Sequence, residues 1–370
     1  MYANMRVVKV NATLAVLLLL FASVAALRAV VGPDMTWKYE KVLQEAGTLH
    51  DVIATAGDDV WAAGDGFLLH DDGTGWQRRP VPASLGDSVH RARFDAADTG
   101  GFLMTASRTN GHTQGMAYWD GTRWAALPQL PDDGRVMDVR AFASDDIWVL
   151  ADWTGAHHWD GTRWTAMDLP VTVTALDGVS SDDLWAVGHH YPDGPDEGLG
   201  TPGAQPAAVH WNGRTWKLVP TPEYRHTTPA PEQLAHLTEV VALAKDDIRA
   251  YGKHTSISED DEPDPPEEDI RLRWNGTGWL KLPNSKGACS DRGRWIRDGE
   301  RGVVLGAGRY LTADGNCQGI GLSEPPGTGA TKPDSRQSLR LNAITAVPGT
   351  DDILGVGAVG DLPVIVALQR

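Results

Sequence analysis

The side chains best suited to chemistry in this chain fall in a few short stretches. His189, His190 and Tyr191 are followed closely by Asp193, and a second stretch holds Tyr224, Arg225 and His226. An imidazole beside a carboxylate can ligate a metal or move a proton. Two consecutive histidines on a loop do not make a ligand set, however. The expectation is contact with a ligand, with no bound metal and no cofactor. The run Ser258 to Asp269 is dense in carboxylates that would attract calcium, but it lacks the glycine and the ligand spacing of an ordered calcium loop. It reads as a solvated acidic loop. Arg292, Arg294, Arg297 and Arg301 could meet a carboxylate or phosphate, and Asp291, Asp298 and Glu300 beside them supply partners within the chain. No nucleophile, base and acid assemble from these stretches, so no residue is assigned a catalytic role.

What must position these side chains is a repeat. Ser181-Asp182-Asp183-Leu184-Trp185-Ala186-Val187-Gly188 is followed, after a gap, by Val209-His210-Trp211-Asn212-Gly213-Arg214-Thr215-Trp216. The pattern recurs from Ser144 to Trp148 with His158 to Trp164, from Gly57 to Trp61 with His70 to Trp76, and from Lys245 to Arg249 with Trp274 to Trp279. Tyr118 to Trp124 preserves a second half alone, Thr350 to Leu354 a first half, and Arg301 to Gly315 a weak copy. Each copy reads as four short strands. The Asp-Asp pair turns the chain between the first two, because aspartate side chains bond nearby backbone amides. Leu-Trp-Ala-Val is β-branched and aromatic, as a strand requires. Asp-Gly or Asn-Gly then supplies positive φ for a tight hairpin between the third and fourth strands. The sequon Asn275-Gly276-Thr277 falls on such a turn and reads as turn chemistry.

Four antiparallel strands in ~40 residues make a propeller blade. Turns near 59, 98, 146, 183, 247, 299 and 352 predict seven blades. The last has only two strands after Asp352, while Met35 to Val42 resembles a fourth strand without its blade. Pairing the two closes the ring and removes two open sheet edges. Thirteen of the 15 tryptophans sit at repeat positions, where an indole fills the space between adjacent sheets. Trp153 and Trp295 lie outside the pattern. The fold expected is therefore all-β: a single seven-bladed β-propeller of four-stranded antiparallel blades over residues 35–370. The central channel should be lined by the first strands, in which no acid or histidine visibly recurs.

The connections between second and third strands, and between blades, vary in length while the other turns do not. In a four-stranded meander these variable connections share one face, and loops varying on a constant scaffold commonly carry binding. The ligand-contacting set expected there is His189, His190, Tyr191, Asp193, Tyr224, Arg225 and His226, with Trp153.

The N-terminus gives an address. Arg6 and Lys9 precede a stretch from Val10 that stays uncharged until Arg28, with small residues at Val24-Ala25-Ala26. Residues 1–31 fit a signal peptide or an uncleaved anchor, and either places the propeller outside the membrane. Removing Arg6, Lys9 and Arg28 from the 33 basic residues leaves 30 against 49 acidic ones, a body near −19. Such a body repels phosphate backbones and anionic lipid surfaces, so nucleic acid is excluded as a partner. Membrane contact is limited to the N-terminal segment. Export permits a disulfide between Cys289 and Cys317, and the repeat leaves that pairing open.

From Asp58 to Leu368 the repeat resembles exported bacterial propellers of the broad sialidase-like and kelch-like kind, and Asp-Gly-Thr-Arg-Trp is similar to the Asp-box turn of sialidases. The resemblance implies partner binding, and export, the closed repeat, the single variable face and the missing catalytic sets point to a monomeric propeller that binds a protein or glycan at the cell surface without catalysis. Its alternatives are a sialidase-like glycoside hydrolase or lyase and a membrane-tethered assembly or sensory subunit. The arginine triad and Tyr-Glu pair of sialidases do not assemble in this sequence, nor does the Tyr/Cys/His copper site of kelch-type oxidases.

Overall fold

The computed structural model describes residues 35–370 apart from 46, 87–88, 109–113, 132–133, 193–202, 227–231, 258–266, 284–294, 300, 314–315 and 324–338. The N-terminal apolar segment, Asp193, Arg292, Arg294, Cys289 and most of the acidic loop lie outside the described residues. No described helix is long and apolar enough to cross a membrane.

Strand β1 (Thr36–Val42) is followed by seven groups of strands. Blade 1 holds β2 (Leu49–Ala56), β3 (Asp59–Gly64), β4 (Phe67–Asp71) and β5 (Gln77–Arg79); blade 2 holds β6 (Val89–Ala96), β7 (Phe102–Arg108), β8 (Gln114–Trp119) and β9 (Trp124–Ala126). Blade 3 holds β10 (Val136–Ala143), β11 (Asp146–Ala151), β12 (Gly155–Trp159) and β13 (Trp164–Asp168); blade 4 holds β14 (Thr172–Ser180), β15 (Asp183–His190), β16 (Gln205–Trp211) and β17 (Trp216–Val219). Blade 5 holds β18 (Glu232–Ala244), β19 (Asp247–Ile257), β20 (Glu268–Trp274) and β21 (Trp279–Lys281); blade 6 holds β22 (Trp295–Asp298), β23 (Gly302–Leu305), β24 (Arg309–Thr312) and β25 (Cys317–Gly319). After β26 (Gly321–Leu322), blade 7 is built from β27 (Leu339–Ala346), β28 (Ile353–Val359), β29 (Leu362–Gln369) and β1. Every group is an antiparallel meander, and seven blades form as the repeat predicts.

Closure is as expected from the register. β1 runs antiparallel to β29, pairing Thr36 with Gln369, Trp37 with Leu368 and Val42 with Val364. β26 adds a parallel contact on the outer edge of β1, so this sheet has five strands. Cys317 is disulfide-bonded. The chain has one other cysteine, Cys289.

The buried apolar side chains lie between consecutive blades. The second-strand tryptophan of one blade packs against the tryptophan pair that flanks the hairpin of the next. Trp61 meets Trp119 and Trp124 at 5.1 and 5.8 Å, Trp148 meets Trp211 and Trp216 at 5.1 and 5.9 Å, and Trp185 meets Trp274 and Trp279 at 5.0 and 5.2 Å. Tilted and edge-on pairs of this kind add to simple area burial. On its other face each of these three indoles stacks on a third-strand histidine: His70, His158 and His210.

Those histidines revise the reading of the Asp-Asp pair. The second aspartate does not bond a nearby amide. Asp59, Asp146 and Asp183 instead bond the Nε2 of His70, His158 and His210 at 2.8, 2.9 and 2.7 Å. The aspartate thus fixes the imidazole that braces the indole. Amide capping belongs to the hairpins, where Asp120, Asp160, Asn212 and Asn275 accept from amides two and three residues on. These are four-residue loops closed by Trp–Trp pairs such as Trp119 with Trp124.

The glycine that ends the Leu-Trp-Ala-Val-Gly segment has a steric cause. The first strand bulges between Val173 and Ala175 and presses its backbone onto Gly188. A Cβ on Gly188 would lie 2.1 Å from the Thr172 carbonyl oxygen, and one on Gly252 would lie 1.9 Å from that of His236. Gly188→Ala is expected to lose ~1–3 kcal/mol of stability through overpacking, read from chemical denaturation. An unchanged midpoint would show that the bulge yields.

Candidate functional site

Four first-strand acids reach across to the next blade. Asp51 Oδ2 accepts the Phe94 amide of the next blade at 3.0 Å, Asp95 Oδ2 that of Ala141 at 2.6 Å, Asp138 Oδ2 that of Leu176 at 2.9 Å, and Asp177 Oδ2 that of Ala242 at 2.8 Å. Asn342 completes the turn from blade 7 to blade 1 by donating to the Leu49 carbonyl at 2.6 Å. Acids therefore do recur in the first strands, contrary to the sequence expectation. They stitch consecutive blades together, and Asp95, Asp138 and Asp177 line a cavity of about 780 Å³.

Arg140 sits among them. Arg140 reaches Asp98 at 2.7 Å, Asp177 at 3.2 Å and Asp95 at 3.8 Å, donates to the carbonyls of Ala96 and Ala141, and lies over the Phe142 ring. Burial pushes the Asp95 carboxyl up to about 7 against the pull of Arg140, and burial raises Asp177 as well. The cavity walls carry Arg93, Arg140, Asp95, Asp98, Asp138, Asp177 and Glu239. The carboxylates outnumber the guanidinium groups, and most of them are engaged in holding the blades.

At the loop end, the expected ligand set spreads along one rim from blade 3 to blade 5. Trp153 lies between β11 and β12 with φ of 70°, next to Asp152 at 48°, a left-handed pair that side chains rarely adopt. The Asp152 carboxylate and backbone both bond Arg135, which over-determines this turn. The Trp153 carbonyl accepts the Val173 amide at 2.7 Å, and the adjoining Thr172 pairs with His189.

His189 and His190 close β15 and do not open the loop after it. His189 is fully buried, its ring edge-on to Tyr191 at 5.4 Å. His190 is half-buried, and burial lowers its pKa. It pairs with Gln205, whose side chain exchanges two hydrogen bonds with the backbone of Tyr224. Tyr224 is buried, with its hydroxyl pushed up to about 12 by burial, Glu268 adding to the effect. Arg225 is exposed and pairs with Glu223.

His226 stacks on His254, a residue the sequence reading did not single out. His254 stands deep in β19, where the repeat marks no function, and its partner comes from a connection whose path the sequence does not specify. Among the described residues no three His, Cys, Asp or Glu side chains converge to hold a metal ion. Arg301, from the basic cluster of blade 6, is bound by Asp298 and Asp351 at 3.1 and 2.8 Å. The buried Asp298 also holds Tyr310 and Arg370.

No family model and no curated protein matches the sequence. Solved structures match its fold. YCF48 bound to a D1 peptide is 14% identical, with a TM-score of 0.53 over 92% of this chain and 98% of that one. YCF48 from Cyanidioschyzon merolae is 12% identical, with a TM-score of 0.51 over 90% and 98% of the two chains. The extracellular domain of a putative one-component system from B. thetaiotaomicron is 12% identical, with a TM-score of 0.55 over 91% of this chain and 40% of that one. At these identities the likeness is one of fold.

Proposed function

We propose that this chain is an extracytoplasmic, non-enzymatic binding or scaffold propeller that engages a protein at the cell surface through the loop rim of blades 3 to 5. The observation that carries the reading is the contrast between the two ends of the disc. At the turn end the recurring Asp, His and Trp side chains are spent on one another, Asp bonding His and His stacking on Trp. At the loop end Trp153, Tyr191, Arg225 and His226 lie along connections of irregular length from blade 3 to blade 5, beside the buried His189, Gln205 and Tyr224. Rigid aromatic and arginine side chains of this kind dominate binding energy at protein interfaces. A peptide-bound propeller of the same fold, YCF48, agrees with a protein partner. The basic, apolar N-terminal segment and the bonded Cys317 agree with export.

The test is cross-linking on intact cells followed by quantitative recovery of partners. Combining Trp153→Ala, Tyr191→Ala and Arg225→Ala should lower recovery of the principal partner at least ~10-fold. A control carrying Arg123→Ala and Arg163→Ala at the turn end should recover it as the wild type does. Equal recovery by both variants would remove the rim assignment.

A further inference from the structure

After β17 the chain from Thr221 to His226 is seated on blades 4 and 5 by two kinds of contact. Backbone anchors come first: the Tyr224 amide donates to Gln205 Oε1 at 2.8 Å, and the His226 amide donates to Gln233 Oε1 at 3.0 Å. The second contact is a stack. The imidazoles of His226 and His254 lie 3.9 Å apart with 13° between their planes. His254 is fully buried.

The groups facing it are few. Glu268 of β20 lies 3.3 Å from its Nδ1, and Gln233 of β18 lies 3.4 Å from its Nε2. The Tyr224 ring is edge-on at 5.8 Å, and the Lys281 ammonium of β21 sits 3.7 Å over that ring.

This geometry suits two neutral rings. One proton, on His254, finds Glu268. A second, on His226, places two like charges face to face beside Lys281, with a single carboxylate to balance them. Water cannot screen the buried ring, so the repulsion acts on the half-buried one and the segment that carries it.

We propose that the His226–His254 stack is an acid-released latch, seating the segment from Thr221 to His226 at neutral pH and freeing it in mildly acidic surroundings. Its use in regulating capture rests on the rim being the binding face; the latch itself belongs to the unliganded chain. Burial holds the His254 imidazole below the ordinary histidine range, with His226 and Lys281 acting the same way and Glu268 opposing. The seated state therefore binds fewer protons than the released one, and seating weakens as pH falls below ~6.5.

Hydrogen exchange on the full chain without ligand tests this directly. Between pH of about 7.5 and 5.5, after correction for intrinsic rates, protection of the Tyr224 and His226 amides should fall ~10-fold while blades 1 to 3 hold theirs. His254→Gln keeps hydrogen bonding without charge and should flatten the response. His226→Gln, at a half-buried position, should do the same should the buried substitution lower the melting temperature. Protection retained by the wild type at the lower pH would overturn the latch, as would an equal fall in both glutamine variants. Because no ligand enters the measurement, it stands or falls separately from the cross-linking result.

Discussion

Replacing Arg140 with methionine is expected to remove ~2–4 kcal/mol of folding stability, a large fraction of what a domain possesses. The loss falls below that of a fully buried ion pair because Asp95 and Asp177 retain some exposure, at 25% and 24%. Arg140 is the cation on which Asp95, Asp98 and Asp177 converge from blades 2 and 4. Without it three carboxylates face one another in a confined channel, and the Asp95–Ala141 and Asp177–Ala242 stitches lose their counter-charge.

The loss should depend on pH. Asp95 is already held at about 7, far above its unfolded value near 3.9. The folded protein thus binds the extra proton between those limits, and this carboxyl's contribution to stability falls as pH rises through the window. Asp95→Asn keeps an acceptor for the Ala141 amide and should flatten the decline between pH of about 5 and 8. Denaturant midpoints measured across that range check both substitutions. A methionine variant as stable as the wild type at the upper end would show that Arg140 does not hold the blades.

The second large effect is expected at Trp37. Its indole is fully buried in the cluster between blades 6 and 7, and its Nε1 donates to the Ala307 carbonyl at 2.8 Å. Trp37→Ala should lose ~3–5 kcal/mol. Removing β1 altogether should do more. It strips the fourth strand from blade 7, leaving the apolar strand β29, Leu362–Gln369, with an unpaired edge. Such edges template pairing with other chains. The truncated protein should elute as dimers or larger species in size-exclusion chromatography with light scattering. A monomer with an unchanged melting temperature would mean that the ring does not depend on its first strand.

Much of this architecture was legible because tryptophan marks it. An indole at or beside the start of six of the seven fourth strands and another on three of the second strands have one geometric solution, the gap between sheets, so blade count and closure followed from spacing. The acid ring was not legible, for a reason visible in the register. Asp51 and Asp138 pair with Ala63 and Leu150, but Asp95 and Asp177 pair with Leu103 and Trp185, two residues nearer the turn. The acids occupy two levels, and a bulge interrupts the alternation that would reveal them. The rim was half legible. Trp153, Tyr191 and Tyr224 stood out as chemistry without a repeat position. The pairing of His226 with His254 spans 28 residues and depends on how a loop folds back onto β19.

The strand that seals the ring carries one further implication. Thr36 lies opposite Gln369, and the fourth strand of every blade starts at the hairpin end, away from the irregular connections. The polypeptide therefore enters the disc from underneath. Any tether attached ahead of Met35 would hold the propeller like a dish on a stalk, its rim of Trp153, Tyr191 and His226 turned away from the point of attachment.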